Sequence, residues 1–543
     1  MGTAAVDRAL PQDTWAEGAQ HGDIVGALGT IRADQSASPR GGWRRLLAFL
    51  AIMGPGLVVM VGDNDAGGVT TYAQAGQAYG ATLLWTLFLL IPVLIVAQEM
   101  VARLGAVSGV GHARLIKERF GRFWAIFSVV DLFVLNGLTL MTEFIGIDLG
   151  LRYFGIPPYV SVPVAAVALL VVGATGSFRR WERAMFLFIA VSLLMFPLAA
   201  LTHPHLQPVL HGLLVPTVAG GWSNTAVLFV IAIVGTTVAP WQLFFQQSNV
   251  IDKRITARWL RAEVLETALG GVLTNVAAAA LLVAAAFAFL HTPLAGQQGS
   301  ALALAHGFAA HAGRWAGDLF AVVLINAALI GGATVALSSS YALADLVGLP
   351  HSLHQGVREA RGFYVIYAAL VVVSAVVVLV PHVPLGLINL GVQVLAGVLL
   401  PSAVVFLILL CNDAAVLGPW VNSVMQNIAG GAIVTVLVAL SLILTVTTVF
   451  PRLSLAPLLA AIGALAVVGT VVLWTQSRRA GSEGAASRAL VRGLDRRRWR
   501  MPPLAELPPM RWSRAGRLAM LVLRGYLVLA AVTMVVRIVQ LAR

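Results

Sequence analysis

Between residues 62 and 68 the chain reads Gly62-Asp63-Asn64-Asp65-Ala66-Gly67-Gly68, inside an apolar stretch that extends from about residue 47 to residue 80. Carboxylates are rare in the hydrocarbon core of a membrane, and glycine weakens a helix because it leaves the backbone unrestrained. Two carboxylates, one amide and three glycines within seven positions therefore predict that the helix is interrupted here rather than continued.

Most of the chain is apolar enough to lie in a lipid bilayer. Of its 543 residues, 59% are hydrophobic and 11% are charged, whereas about 25% are charged in a typical soluble domain. A transmembrane helix needs about 20 apolar residues. Candidate segments lie at 47–80, 82–102, 124–151, 158–175, 183–201, 223–250, 265–290, 316–346, 362–380, 385–411, 427–449 and 455–475. A thirteenth candidate at 519–540 contains Arg524 and Arg537, and it either spans the membrane or lies at its surface.

Basic residues mark the predicted cytoplasmic side. Although the net charge is +13, Lys and Arg do not follow one face of a helix, as they would in a nucleic-acid-binding surface. They collect before the first segment and in every second loop. This pattern predicts a multi-pass inner-membrane protein with a cytoplasmic N-terminus and no nucleic-acid partner.

The sixth apolar segment is predicted to be interrupted as well, at Gly235-Thr236-Thr237-Val238-Ala239-Pro240. Proline and glycine break the helical hydrogen-bond ladder. Asp65 and Val238 lie 173 positions apart, and each interruption falls in the first segment of a block of five. An odd number of helices per block reverses the direction in which the second block enters the membrane, which is typical of inverted repeats with a substrate site at the midplane.

These patterns divide the chain into six predicted parts. They are a disordered cytoplasmic tail (1–43), a first five-helix repeat (44–211), an inverted second repeat (212–411), two additional transmembrane helices (412–476), a basic cytoplasmic linker (477–517) and a C-terminal membrane or interfacial helix (518–543).

Asp65 is the strongest candidate for a functional side chain. A carboxylate beside unwound backbone at the midplane is a hard oxygen ligand that a cation can approach, and no basic residue lies within the first or sixth segment to neutralise it. Asp63 and Asn64 either contact the substrate or cap a half-helix. No phosphate-cradling loop or zinc-protease motif occurs in the sequence, so we expect neither ATP hydrolysis nor another enzymatic activity, and no cofactor.

Three stretches resemble the natural resistance-associated macrophage protein (Nramp) family of divalent metal transporters. The first runs from Gly54-Pro55-Gly56 through Gln74-Ala75-Gly76 and Tyr79-Gly80 to Leu84-Trp85, the second is Gly176-Ser177-Phe178-Arg179-Arg180-Trp181-Glu182, and the third pairs Gln393 with Pro401. The resemblance covers roughly residues 45–450. It implies an all-α polytopic fold of the leucine-transporter type, a 5+5 inverted repeat with discontinuous helices 1 and 6, with 11 core helices and 12–13 in total.

The resemblance also implies a metal site between helices 1 and 6. Its predicted ligands are Asp65, the backbone carbonyls of Gly62 and Thr236, and the oxygens of Gln242 and Gln393, with Asn64 as a further candidate. Two positions depart from the family pattern: Gly68 replaces an asparagine ligand, and Ala239 replaces a methionine. Because a thioether favours transition metals over hard ions, its loss predicts Mg²⁺ and places the chain in the Nramp-related magnesium transporter branch.

The residues that couple transport to protons in the family are only partly present. Trp241 replaces a histidine, Glu143 matches the family's glutamate, and Leu140 replaces its acidic partner. Asp63, Trp241 and Glu143 are the candidates for gating or coupling, and Glu143 is alternatively a residual structural acid. We therefore predict Mg²⁺ uptake without proton coupling.

Two other functions compete with this prediction. One is a proton-coupled Mn²⁺ or Fe²⁺ symporter of the Nramp type. The other is a sodium-coupled carrier of an organic solute on the same fold, because fold alone does not fix the substrate. Beyond the ion and the lipid bilayer, the sequence indicates no obligatory protein partner.

Overall fold

The computed structural model describes residues 22–32, 42–380, 385–449 and 499–507, together with isolated positions between 460 and 526. Within these residues the chain is almost entirely helical. The exception is a short antiparallel hairpin of β1 (Ile24–Val25) and β2 (Thr30–Ile31), in which Ile24 pairs with Ile31.

The α-helices are numbered here in chain order. They are α1 (Gly42–Ile52), α2 (Pro55–Gly62), α3 (Ala66–Tyr79), α4 (Leu84–Ser108), α5 (His112–Phe120), α6 (Arg122–Tyr153), α7 (Pro158–Gly173), α8 (Phe178–Ser192), α9 (Met195–Leu201), α10 (Leu206–Leu214), α11 (Asn224–Thr237), α12 (Pro240–Asp252), α13 (Leu260–Ala288), α14 (Ala301–His311), α15 (Arg314–Val347), α16 (Arg361–Val378), α17 (Leu385–Cys411), α18 (Ala414–Leu417) and α19 (Val424–Val449).

The helices confirm the predicted all-α polytopic architecture. Among the described residues, nine helical stretches are long and apolar enough to cross a membrane, or ten if the bent pair α1 and α2 is one span. Each predicted segment between residues 47 and 449 coincides with helix. The predicted twelfth segment (455–475), the linker and the C-terminal helix lie largely outside the described residues.

The first and sixth segments are discontinuous, as predicted. The first consists of α1, α2 and α3, with a bend of 50° between α1 and α2 and an interruption at residues 63–65. The sixth consists of α11 and α12, interrupted at Val238 and Ala239. Both interruptions occur where the sequence places proline, glycine or a capping carboxylate.

Small residues let helices approach closely, both between the two predicted repeats and within the second repeat. A Cβ atom at Gly76 of α3 would lie 2.2 Å from the carbonyl oxygen of Leu282 in α13. Similarly, a Cβ atom at Gly235 of α11 would lie 2.1 Å from the carbonyl oxygen of Gln393 in α17. Glycine at such crossings is typical of packed membrane helices. The second crossing brings α17 beside the interruption between α11 and α12.

The predicted disordered tail (1–43) is corrected over residues 22–32, which form the hairpin, and α1 begins at Gly42. Ile24 and Ile31 are buried against Ala51 and Ile52 of α1 and Val250 of α12. These partners are distant in sequence, so the local composition of the tail did not indicate them. The rest of the tail, residues 1–21 and 33–41, lies outside the described residues.

Candidate cation-binding site

The interruption between α2 and α3 is organised by two carboxylates. Asp65 has extended backbone at the N-cap of α3, and its Oδ1 accepts a hydrogen bond from the Gly68 N–H at 2.6 Å. In a continuous helix the Ala66 N–H would bond to the Gly62 carbonyl. It donates instead to Glu143 Oε2 of α6 at 3.0 Å. Asp65 and Glu143 therefore both lie at the N-terminus of α3, where the helix dipole favours negative charge.

The interruption between α11 and α12 has a simpler cause. Pro240 is the first residue of α12 and has no N–H, so it cannot bond to the carbonyl of Thr236 four residues earlier. Ala239 has extended backbone (φ −99°, ψ 147°). The Thr236 carbonyl thus receives no hydrogen bond from residue 240. A carbonyl that is free of the helical ladder is able to bind a cation, as predicted for Thr236.

The two interruptions meet. A Cβ atom at Gly68 would lie 2.8 Å from Thr236 Oγ1, so glycine is what allows the first turn of α3 to reach the end of α11. One turn further on, the Tyr72 hydroxyl and Thr237 Oγ1 are 2.9 Å apart. The structure therefore brings the predicted Asp65, Gly68 and Thr236 together.

Gln393 of α17 lies against the same turn. A Cβ atom at Gly67 would lie 1.8 Å from Gln393 Nε2 and 3.2 Å from Asp65 Oδ1. Gln393 Nε2 and Thr236 Oγ1 are buried and have no hydrogen-bond partner among the described residues. A side-chain amide and a hydroxyl with unused bonding capacity thus lie beside the Asp65 carboxylate.

Asp63 belongs to a separate hydrogen-bonded chain. The Gln242 amide donates to Asp63 Oδ1, and Gln98 Nε2 of α4 donates to Gln242 Oε1 at 2.9 Å. The predicted ligand oxygen of Gln242 is therefore already an acceptor in this conformation. Asp63 Oδ2 has no partner among the described residues.

Three other predicted residues have contacts of their own. The Asn64 amide donates to the Thr274 carbonyl of α13 at 3.0 Å, which orients this side chain toward α13. Trp241 is buried, with Cη2 3.5 Å from the position that a Cβ atom at Gly62 would take, and its carbonyl accepts from the Ser338 hydroxyl. The Ala239 carbonyl accepts from the Gln242 N–H at 3.2 Å.

The acids of the site have no basic partner in the part of the chain that the structure describes. Asp63, Asp65 and Glu143 are 0–3% exposed. None of them takes part in the salt bridges found among the described residues. Removing the charge partner of a buried group is strongly destabilising. The arrangement therefore suits a cation, although no group of three His, Cys, Asp or Glu side chains among the described residues could hold a metal alone.

The family model described as natural resistance-associated macrophage protein-like matches residues 56–447. The chain belongs to the Nramp family.

Curated relatives of this Nramp-family chain include two bacterial proteins named divalent metal cation transporter MntH. The protein from Levilactobacillus brevis is 26% identical over 440 residues, which cover 77% of this chain and 93% of the relative. The protein from Xylella fastidiosa (strain 9a5c) is 30% identical over 437 residues, which cover 75% and 88%.

A solved structure of the Eremococcus coleocola manganese transporter shares the fold. It superposes with a TM-score of 0.61 at 20% identity, and the match covers 83% of this chain and 97% of that chain. This likeness confirms the predicted leucine-transporter-type fold.

The site of this Nramp-family chain contains residues that the sequence analysis missed. Gln98 is the donor that orients Gln242. Gly331 of α15 leaves room for both acids, because a Cβ atom there would lie 2.7 Å from Asp65 Cβ and 3.0 Å from Glu143 Oε2. The available signals were an amide directly after the apolar run 87–97 of α4 and the pair Gly331-Gly332 in α15.

The contact between α6 and the start of α3 gives a test by mutation. A Cβ atom at Gly146 would lie 2.3 Å from Ala66 Cβ. We expect Gly146→Ala to destabilise the protein by about 1–3 kcal/mol through overpacking, and Ala66→Gly to restore most of that loss in the double variant. The measurement is the midpoint of thermal unfolding of the detergent-purified variants, with tryptophan fluorescence as the signal.

The matched control is Gly137→Ala in the same helix, because a Cβ atom at Gly137 meets nothing within 4 Å. Equal effects of Gly146→Ala and Gly137→Ala would show that α6 does not press on the start of α3.

Proposed function

We propose that this chain is a secondary transporter that moves a divalent metal cation across the membrane through the site at Asp65. The observation that carries the proposal is the buried Asp65 carboxylate, which lies where two interrupted helices meet and has no basic partner among the described residues. The names of the curated relatives, divalent metal cation transporters, support the same cargo class.

The driving force in this proposal is the gradient of the ion together with the membrane potential. At about 2.3 kcal/mol per charge per 100 mV, a dication gains roughly twice that amount on moving to the negative side. The sequence contains no phosphate-binding motif, so it does not indicate ATP as an alternative source of energy.

Manganese is the first candidate cargo and magnesium the second. The comparisons favour the manganese alternative over the predicted magnesium, since a solved neighbour is a manganese transporter. Carboxylate, carbonyl and amide oxygens suit Mg²⁺ and Mn²⁺ alike. What favours Mg²⁺ is Ala239: this residue, at the position of the family's methionine, contributes no sulfur to the site. Membership of the magnesium branch therefore stays a prediction.

Uncoupled transport also stays a prediction, and the contacts of Glu143 support it. Glu143 accepts the Ala66 N–H, so its carboxylate already has a role at the start of α3. Leu140, one turn earlier, is buried and apolar and cannot relay a proton. The sodium-coupled organic carrier is the least supported alternative, since the relatives are named for metal cations and the Asp65 carboxylate would repel an organic anion.

The first test is uptake of Mn²⁺ and Mg²⁺ into proteoliposomes that contain a pH-sensitive dye. Asp65→Asn keeps the shape of the side chain and removes its charge. We expect uptake to fall at least about 100-fold, because loss of one partner from a buried charge pair costs about 3–5 kcal/mol. We also expect no acidification of the lumen during uptake by the unmodified protein.

The matched control is Asp318→Asn. Asp318 is an acid on α15 whose partners are Tyr153 and Arg314. It should leave uptake unchanged. Undiminished uptake by Asp65→Asn would refute the proposed site, and acidification of the lumen would refute uncoupled transport.

Ala239 gives a test of the choice between the two ions. Ala239→Met adds a thioether and Ala239→Leu adds a similar volume without sulfur. We expect only the methionine variant to gain preference for Mn²⁺ over Mg²⁺, by about tenfold, because sulfur is a soft ligand. The measurement is Mn²⁺ uptake in the presence of increasing Mg²⁺. If the two variants behave alike, sulfur at this position does not set selectivity.

A further inference from the structure

The N-terminal hairpin, residues 22–32, packs on the bend between α1 and α2. Ile24 and Ile31 are 5% and 8% exposed and contact a cluster that includes Ala51 and Ile52, the last turn of α1. A Cβ atom at Gly29 would lie 3.0 Å from Ala51 Cβ, so the turn of the hairpin also touches α1. The hairpin is thus fixed to the residues that immediately precede the bend.

A buried ion pair joins the hairpin to the same bend. Lys253, just after α12, donates to Glu182 Oε1 of α8 at 2.6 Å, and both side chains are at most 1% exposed. Lys253 also donates to the Met53 carbonyl at 2.7 Å, in the link between α1 and α2. The other Glu182 oxygen, Oε2, accepts the N–H of Ala27 in the hairpin. Hairpin, ion pair and bend therefore form one hydrogen-bonded network.

The bend itself has the geometry of a hinge. Gly54 has φ 152°, which L side chains rarely adopt, and a Cβ atom there would lie 1.9 Å from Glu182 Oε1. Glu266 of α13 accepts from the N–H groups of Gly54, Gly56 and Leu57 at 2.6–3.0 Å. Two carboxylates on different helices thus hold the start of α2, and the hairpin contacts one of them.

Arginines hold the outer side of the hairpin. Arg179 donates to the Gly26 carbonyl at 3.2 Å and to the Thr30 hydroxyl, and Arg254 donates to the Asp23 carbonyl at 3.5 Å. A two-stranded hairpin of two-residue strands is marginally stable by itself. The contacts with the α1–α2 bend, with Arg179 of α8 and with Arg254 just after α12 are therefore what keep it folded.

We infer that the N-terminal hairpin is a latch that holds the α1–α2 hinge in place on the predicted cytoplasmic side of the protein. While it is bound, Glu182, Lys253 and Ala51 fix the α1–α2 hinge and α2 remains buried. When it detaches, α2 moves away from α8 and α12 and the ion path opens toward the cytoplasm. The opening of an ion path rests on the proposed function. The movement of α2, in contrast, is measurable without any transport.

The test is the accessibility of a single cysteine. The natural Cys411 is replaced (Cys411→Ala), and Val58→Cys places a thiol on α2 at a position that is 0% exposed. Purified full-length protein is labelled with a water-soluble maleimide. We expect Ile24→Ser to speed labelling about tenfold. The loss of one buried isoleucine weakens the packing of the hairpin on α1, so the detached state is populated about tenfold more.

Leu28→Ser is the matched control, since Leu28 lies in the same hairpin but is 50% exposed. It should label at the rate of the parent protein. Equal labelling rates in all three proteins would overturn the latch, whatever ion the protein carries.

A cross-link tests the opposite change. In the Cys411→Ala background, Gly29→Cys and Ala51→Cys bring two Cβ atoms close to the separation of about 3.5–4.5 Å that a disulfide requires. Oxidation should abolish Mn²⁺ or Mg²⁺ uptake and a reductant should restore it. Full uptake by the oxidised protein would contradict the latch. Absent uptake in the reduced protein together with fast labelling of Ile24→Ser would contradict only the proposed function.

Discussion

The structure depends on how a carboxylate is accommodated in the middle of a membrane protein. Asp65 has no basic partner among the described residues, and its charge is offset locally by the Gly68 N–H and by the dipole of α3. That arrangement exists only because the helix is interrupted, so that α3 begins at Ala66. The position of the acid and the break in the helix are therefore two aspects of one constraint.

The remaining features of the site follow from bringing other helices to this break. Gly67 and Gly68 leave room for Gln393 and Thr236, and Gly146 and Gly331 let α6 and α15 approach the same turn. Pro240 frees the Thr236 carbonyl, while Glu143 occupies the N–H of Ala66. The Asp65 carboxylate, the Thr236 oxygens and the Gln393 side-chain amide are thus held close together, and carboxylate and carbonyl oxygens are the ligands that a hard cation prefers. At the other end of α2, Glu182 and Glu266 fix the hinge that would allow access to the site.

Local chemistry made part of this arrangement predictable. Asp65 and both interruptions follow from residues that break or cap a helix within a few positions, and the family resemblance added Thr236 and Gln393. The chain from Gln98 through Gln242 to Asp63, the orientation of Asn64 toward Thr274 and the hairpin at 22–32 could not be derived in that way. Each depends on side-chain contacts between residues far apart in sequence, which composition and periodicity do not encode.

The central claim is that the cation binds where the two interruptions meet. Anomalous diffraction from crystals soaked in Mn²⁺ tests it most directly, because Mn²⁺ accepts the same oxygen ligands as Mg²⁺ and is visible by its own scattering. The account predicts an anomalous peak at about 2.0–2.6 Å from an Asp65 carboxylate oxygen, with the Thr236 carbonyl beside it. A peak at another cluster of acids, with none at Asp65, would contradict the account.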